Sequence, residues 1–242
     1  MPHINEAQSV AEHPGIGLYS ETGLHASLKR LYAGRAGPGA RYEASVAGKV
    51  VDVVLPDELV EVQTRNLGKI CDKVLSLACV MPVRVVHPVA AETVIERADP
   101  ASGEIVSRRR STARRDFWSV FDELVKASSI VASPNVRLDV VLVRVVETRV
   151  RDGSGSWRRR GDRVLSRELA EVTRTVSLDR KADWLALLPP GLGEPFDSDS
   201  LGKALGIEPH RARKVLYVFR RAGLLAERGK SGNRKLYGRL EP

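Results

Sequence analysis

The chain has 242 residues, of which 43% are hydrophobic, so it can form a packed core in one large domain or two modest ones. Its formal net charge of +9 favours polyanionic partners, most often nucleic acid, although a solvated basic surface has the same charge. The sequence has two cysteines, no apolar run of about 20 residues and no signal-peptide centre, which excludes a disulfide framework and a membrane-spanning helix. We therefore expect a cytoplasmic protein with no membrane partner and a flexible N-terminus at 1–19.

Residues 20–88 predict a helix, three strands, a second helix and a further strand, in that order. Leu24, Leu28 and Leu31 recur at helical spacing over 20–33, where Ser20 can cap the helix. Apolar runs between Gly and Pro turns predict the other elements. These are strands at 41–46, 49–55 and 59–64, a helix at 66–79, and a strand at 81–89 closed by Pro88. The strand at 49–55 is nearly all apolar, so Asp52 is either at a site or badly placed.

Residues 89–189 extend this first region. The predicted elements are a hairpin around 100–103, a helix at 117–131, a long strand at 136–150 and a helix at 179–188. Residues 164–177 fit either an extended segment or a helix. Arginines at 108–110, 114–115 and 158–160 either extend a nucleic-acid footprint or keep their loops soluble.

The strongest chemical signal is Asp52, followed on the next strand by Glu61 and Gln63. Side chains alternate along a strand, so Glu61 and Gln63 project from one face, and hairpin pairing would bring Asp52 near Glu61. Two adjacent carboxylates repel each other unless a cation neutralises them, which favours a divalent metal, Mg²⁺ or Mn²⁺. The alternative is a surface pair of acids on an edge hairpin.

With its element order, this arrangement resembles the PD-(D/E)XK, or restriction-endonuclease-like, nuclease superfamily. The resemblance implies an α/β (α+β) fold with a mixed sheet flanked by helices, and Mg²⁺-dependent hydrolysis of phosphodiester bonds in DNA. It makes Asp52 and Glu61 metal ligands, completed by Glu21 on the first helix, with Glu43 as a substitute. Alternatively, Glu21 only stabilises a helix N-terminus. Many members cut both strands as dimers, so the resemblance also implies a homodimer.

The sequence departs from the superfamily at the third signature position. That residue is usually Lys, which supplies positive charge to the attacking water or the transition state, whereas Gln63 can only orient groups by hydrogen bonds. Some relatives tolerate Gln there, and others place the Lys on the next helix. Lys69 or Lys73 could take that role here.

Residues 195–242 resemble a winged helix and form the second expected domain. One helix ends at Gly206, a second ends at Gly223, and two strands flank a turn at 229–233. Basic residues concentrate on the second helix and the hairpin, which favours contact with double-stranded DNA. The predicted contacts are Arg211, Arg213, Lys214, Tyr217, Arg220, Arg228, Lys230, Arg234 and Lys235. A winged helix that binds protein is the alternative.

These features together predict a metal-dependent DNA endonuclease at the nucleoid of a prokaryote. Its nuclease domain would span 20–189, with a core at 20–88 and an extension at 89–189, and its DNA-binding domain 195–242. The alternative is a non-catalytic DNA-binding regulator with a degenerate nuclease core, which Gln63 in place of Lys would explain. An RNA-directed function ranks lower, because aromatic residues are only 5% of the chain.

Overall fold

The computed structural model describes residues 23–35, 37–155 and 161–240, and the backbone of a two-residue strand, β1, at Gln8–Ser9. The other strands in these residues are β2 Arg41–Val46, β3 Lys49–Val54, β4 Leu59–Val62, β5 Val83–Ala98, β6 Ile105–Arg110, β7 Val136–Arg151, β8 Asp162–Leu178, β9 Leu225–Ser231 and β10 Arg234–Arg239. The helices are α1 Gly23–Gly34, α2 Cys71–Ala78, α3 Phe121–Leu124, α4 Lys181–Leu185, α5 Ser198–Leu205 and α6 Pro209–Arg221. None of these helices is long and apolar enough to cross a membrane.

The first eight strands form one mixed sheet in the order β1-β8-β7-β5-β4-β3-β2, with β6 paired to β5. Strands β2, β3 and β4 are antiparallel, β4, β5 and β7 are parallel, and β8 returns antiparallel to β7. The chain is therefore mixed α/β. The order predicted for 20–88 is observed: α1, three strands, α2 and β5.

Helices cover both faces of this sheet and create two apolar clusters. On one face α1 contributes Leu24, Leu28 and Tyr32 to a cluster with Val60 and Val141. On the other face lies a larger cluster built from α2, the segment 117–131, α6 and the opposite sides of the same strands. Burial on both faces is the reason that the parallel strands are nearly continuous runs of Val.

The sequence predicted a strand that ends at Pro88, and this prediction is wrong. Strand β5 continues through Pro88 to Ala98. The Gln63 amide donates to the Val86 carbonyl at 2.9 Å, and β4 ends there. The missing N–H of Pro88 therefore faces the edge that β4 has already left, so the proline breaks no pairing in the described part of the sheet. Strand β6 covers the same edge again from Val94. Between Val86 and Thr93 the edge of β5 lacks a paired strand among the residues that the structure describes.

The predicted single helix at 117–131 is instead three short turns. They are a 3-10 helix at Phe117–Val120, α3, and a 3-10 helix at Ser128–Ile130. Ser128 and Ser129 compete for backbone hydrogen bonds, which weakens the helix there. The predicted helix at 179–188 is likewise shorter, and the ambiguous segment 164–177 lies within the long strand β8.

The C-terminal elements follow the predicted order of two helices and a hairpin. Asp197 accepts the Ser200 amide at 2.9 Å and caps α5, which ends at Gly206 with a φ of 65°. The ring of Phe219 on α6 lies 5.9 Å from that of Phe121 and 6.4 Å from that of Trp184. One apolar core therefore runs from the sheet into the C-terminal helices.

A buried ionic network joins the strand ends farthest from Gln63. Arg84 Nε donates to Glu58 at 3.0 Å, and its Nη1 donates to Asp139 at 2.7 Å and Asp179 at 3.1 Å. Tyr32 donates its hydroxyl to the other Asp139 oxygen at 2.6 Å, and burial beside that carboxylate raises the pKa of Tyr32. Each acid in the network accepts a hydrogen bond, so the network links α1 to the sheet and has a structural role.

Replacing Arg84 by Met should destabilise the fold by about 3–5 kcal/mol, because Glu58 and Asp139 would lose their most buried countercharge and keep only the more exposed Arg137 and Arg35. Arg137→Met is the matched control: Arg137 donates to the same Glu58 at 3.0 Å, but its side chain is 36% exposed. Its loss should cost no more than about 1 kcal/mol. Urea unfolding followed by circular dichroism measures both. An equal decrease in the free energy of unfolding for both variants would show that Arg84 stabilises the fold no more than Arg137 does.

Candidate active site

Asp52 and Glu61 lie where strands β3 and β4 separate. The two strands pair at Val53 with Val60 and at Val54 with Leu59. A regular ladder would next pair Val62 with the backbone of β3. Instead the Val62 amide donates to the Asp52 carboxylate at 2.8 Å. Glu61 lies near enough to Asp52 for the Asp52 charge to raise its pKa. The Asp52 carboxylate contacts His25 on α1, whereas that of Glu61 contacts Lys73 on α2, so helices on opposite faces of the sheet hold the two carboxylates.

Helix α1 brings His25 and Lys29 to this end. His25 Nε2 lies 2.8 Å from the Val62 carbonyl and 3.4 Å from Asp52 Oδ2. Lys29 is only 5% exposed and contacts Glu43 at 2.8 Å, so Glu43 is bound to a lysine on α1. Sequence reasoning missed both basic residues. Their i, i+4 spacing beside Leu24 and Leu28 was the available signal, since it places them on the buried side of α1.

Helix α2 brings Lys73 to Glu61 from the opposite face of the sheet. Lys73 Nζ lies 2.6 Å from Glu61 Oε1, and the residue Glu61 is only 4% exposed. That ion contact is the only polar contact this oxygen makes within the described residues. Lys73 therefore neutralises a buried carboxylate. Of the two lysines considered in place of the usual signature Lys, Lys73 contacts Glu61, and Lys69 does not.

The two acids have pKa values shifted in opposite directions. Burial raises the pKa of Glu61 above its ordinary value, and the nearby Asp52 charge adds to this, although Lys73 opposes it. Burial also acts on Asp52, but hydrogen bonds from His25 and the Val62 amide, together with the charges of His25 and Lys29, hold its pKa below the ordinary value. The lowered pKa keeps Asp52 ionised at neutral pH, whereas the charge of the buried Glu61 depends on Lys73.

The other predicted site residues lie outside this arrangement. The Gln63 side chain donates to the Arg65 carbonyl, and the Gln63 carbonyl lies 2.7 Å from Nδ1 of the buried His87. Lys69 is exposed and has no described ion pair. Glu21, the predicted third ligand, lies outside the described residues, as do the arginines at 158–160.

The donor set at this point suits a hard cation only in part. Asp52 and Glu61 supply carboxylate oxygens, which Mg²⁺ prefers. Within residues 23–35, 37–155 and 161–240, no three His, Cys, Asp or Glu side chains group closely enough to hold a metal ion. Mg²⁺ keeps several waters and can be held by one or two carboxylates. Asp52 Oδ2 already accepts the Val62 amide and Glu61 Oε1 already contacts Lys73, so an ion would have to use the other oxygen of each acid.

Several C-terminal basic residues predicted to bind DNA have acidic partners within the chain. Arg211 contacts Asp116 at 3.1 Å and Lys214 contacts Asp122 at 2.6 Å, and both acids belong to the segment that covers the sheet. In the hairpin, Arg234 contacts Asp197 and Asp199, Lys235 contacts Glu227, and Arg228 donates to the Arg239 carbonyl. The exposed, unpaired side chains on α6 and the hairpin include Arg213, Tyr217, Arg220 and Lys230.

Comparison with known proteins places the sheet and its site in a described family. The family model for a domain of unknown function (DUF8091) matches residues 22–179. The chain belongs to this family. The DUF8091 region contains α1, strands β2 to β8 of the large sheet, Asp52, Glu61 and Lys73, and it ends before α4.

A full-length likeness extends beyond that region. An uncharacterized protein of Treponema pallidum (strain Nichols) is 31% identical over 228 residues, which cover 94% of this chain and 88% of the relative. The likeness therefore includes much of the C-terminal elements as well as the DUF8091 region. No solved structure matches the chain.

Removing the Lys73 charge should raise the pKa of Glu61 further above its ordinary value of 4.5, because desolvation would then act without its main opponent. We expect Lys73→Met to shift the Glu61 side-chain carboxyl titration upward in ¹³C NMR, and Lys69→Met, on the exposed side, to leave it unchanged. A Glu61 titration at or below 4.5 in the wild type would contradict the assignment.

Proposed function

We propose that this protein is a metal-dependent DNA endonuclease that hydrolyses phosphodiester bonds. The observation that carries the proposal is that Asp52 and Glu61 lie near enough to interact where β3 and β4 diverge, with Lys73 2.6 Å from Glu61. The observed element order, with α1 and α2 on opposite faces of a mixed sheet, supports a restriction-endonuclease-like fold.

Asp52 and Glu61 would hold Mg²⁺ or Mn²⁺. When bound, the ion would polarise a phosphoryl oxygen and lower the pKa of a bound water. Asp52 is suited to binding because its depressed pKa keeps it ionised at neutral pH. His25 and the Val62 amide fix the orientation of the Asp52 carboxylate through contacts of 3.4 and 2.8 Å.

Lys73 takes the part that the superfamily usually gives to a lysine two residues after the glutamate. Gln63 occupies that position, but its amide is directed to the Arg65 carbonyl. Lys73 places a positive charge beside Glu61 from the following helix, where it can stabilise negative charge that develops on the phosphate. This explains how a chain with Gln63 can retain catalytic charge.

The C-terminal elements would act as a winged helix that delivers the catalytic domain to double-stranded DNA. The exposed face of α6 carries His210, Arg213, Tyr217 and Arg220 at helical spacing. Such a face can enter a major groove, while Lys230 and Arg228 in the hairpin contact phosphates. In this proposal 20–189 would cleave and 195–242 would bind DNA, although the two share one apolar core, and a homodimer at the nucleoid would cut both strands.

Asp52→Asn and Glu61→Gln should each lower plasmid cleavage with Mg²⁺ or Mn²⁺ by about hundredfold or more, because each removes a charged ligand while keeping side-chain volume. Lys73→Met should lower it by about 10²–10³-fold. Glu43→Gln is the control, since Glu43 is exposed and contacts Lys29 rather than the acid pair. Gel quantification of nicked and linear plasmid measures each. Wild-type rates in the Asp52 and Glu61 variants would refute the nuclease proposal.

A non-catalytic DNA-binding regulator is the second candidate. The Lys73–Glu61 contact favours it, because a lysine already neutralises the carboxylate that a metal would bind. The endonuclease proposal predicts that Mn²⁺ raises the midpoint of thermal unfolding, since an ion that binds only the folded state stabilises it by mass action. Differential scanning fluorimetry of the wild type beside Asp52→Asn tests this. A wild type with no shift and no cleavage that still binds duplex DNA would support the regulator instead.

Contacts with DNA should come from the free face of α6. Replacing Arg213 and Arg220 by Gln should make the plot of log binding constant against log salt concentration less steep, by about 0.9 in slope per arginine. Replacing Arg211 and Lys214 by Gln removes equal charge but should leave that slope nearly unchanged, because Asp116 and Asp122 already bind those residues. Fluorescence anisotropy across a salt series measures both slopes. The reverse ranking would mean that α6 leaves its docked position to bind DNA.

A further inference from the structure

An uncovered stretch of the β5 edge lies beside the candidate active site. Strand β4 covers this edge as far as the bond from Gln63 to Val86, and the next backbone contact on it is the Ser111 amide donating to Thr93 at 2.8 Å. The end of β4 lies at the Val86 end of the opening, and the end of β6 lies at its Thr93 end. The residues that follow these two strands in the sequence therefore flank the opening.

Arg65 and Arg115 are those flanking residues. Arg65 follows Gln63 by two positions, and Arg115 follows the end of β6 and the Ser111–Thr93 bond. Both side chains are exposed, and neither has an ion pair or hydrogen bond within the described residues. They differ in this from Arg108 on β6, which contacts Glu96 at 3.3 Å.

A third arginine comes from the sheet itself. Arg167 on β8 contacts Glu147 at 3.1 Å, but Arg149 shares the same carboxylate at 2.6 Å. The buried Nε of Arg167 has no hydrogen-bond acceptor among the described residues. In the sheet, Arg167 lies opposite Glu147 of β7, which pairs with Ile95 of β5 just beyond the Thr93 end of the opening. Burial lowers the pKa of Arg167, Glu147 opposes this, and the charges of Arg65 and Arg115 lower it further, so both arginines lie within electrostatic range of Arg167.

Acidic groups near this cluster are already occupied. Glu147 contacts both Arg149 and Arg167. Glu123 accepts the Leu67 amide at 3.1 Å. The charges of Glu123 and Arg115 both act on His87, which places Glu123 in the same region. Like charges held together without countercharge destabilise a folded chain unless an anion joins them. Planar guanidinium groups match phosphate oxygens in two-point contacts, which makes a phosphodiester the anion of best fit.

We propose that Arg65, Arg115 and Arg167 form a binding subsite for the phosphodiester backbone of duplex DNA, at the opening between β4 and β6. The subsite rests on the proposed function, which brings DNA to Asp52 and Glu61. Arg65 lies four residues after Glu61 along the chain, so a phosphate held here would be a near neighbour of the cleaved bond. The subsite is distinct from the contacts of α6, and it would position the duplex along the sheet.

The test measures binding of a labelled 20-base-pair duplex by fluorescence anisotropy in EDTA, where cleavage does not contribute. Arg65→Gln/Arg115→Gln should weaken binding by about tenfold per arginine near 0.1 M salt and lower the log–log salt slope by about 0.9 per arginine. The control is Arg41→Gln/Arg180→Gln, which removes two exposed arginines at the strand ends farthest from the opening; Arg41 begins β2, and Arg180 follows β8 and lies 3.8 Å from Asp183. This control should change affinity less than threefold. Arg167→Gln, with folding checked by circular dichroism, should weaken binding in the same direction.

Each outcome separates the subsite from the nuclease proposal. Selective loss in the Arg65/Arg115 variant supports the subsite even if plasmid assays find no cleavage. Equal loss in both double variants, or none in either, overturns the subsite while leaving metal-dependent cleavage to its own test. A wild type that does not bind the duplex overturns both.

Discussion

The bond from the Val62 amide to the Asp52 carboxylate is the contact on which the candidate site depends. It replaces a backbone ladder bond between β3 and β4, so it both separates the strands and places a carboxylate at the point of separation. A carboxylate there needs further donors, and α1 supplies His25 from one face. Glu61 needs the same, and α2 supplies Lys73 from the other. Packing of both helices is therefore a condition of the site's electrostatics.

The chain distributes its charges in two distinct ways. Around Arg84 every acid has a donor, and the result is a closed network that binds α1 to the strands. Around the opening beside β4, Arg65 and Arg115 have no partner within the described residues, and Arg167 shares one carboxylate with Arg149. Closed networks hold a fold together, whereas convergent unpaired charges are costly unless a ligand uses them.

Much of the fold could be predicted from the sequence because its signals are local. Val-rich runs, Gly and Pro turns and the periodic leucines of α1 give the elements and their order. The short connection between β3 and β4 predicts that Asp52 lies near Glu61, and the charge of Asp52 does act on Glu61. It does not predict that α1 and α2 hold the two carboxylates from opposite faces of the sheet. Long-range contacts could not be read in this way. Nothing local distinguishes Lys73 from Lys69, since the choice depends on how α2 packs across β4.

The same limit applies to the corrected elements and to the basic helix. The course of β5 through Pro88 depends on where β4 stops, which is a property of the sheet and not of β5. The sequence predicts that Arg211 and Lys214 are free to bind a DNA groove. In the structure they contact Asp116 and Asp122, against which α6 packs. Periodicity identifies which side of a helix is apolar, but not which acids lie beside its polar margin.

Pro88 has a further consequence for how molecules of this protein behave towards one another. An uncovered strand edge is a template for β-pairing with another chain, which leads to aggregation. A proline removes one donor from that edge, and the register shift between Ala90 and Glu92 breaks the regular repeat just beyond it. An incoming strand would find too few evenly spaced partners to extend the sheet. The protein can thus keep a gap in its largest sheet without inviting self-association through it.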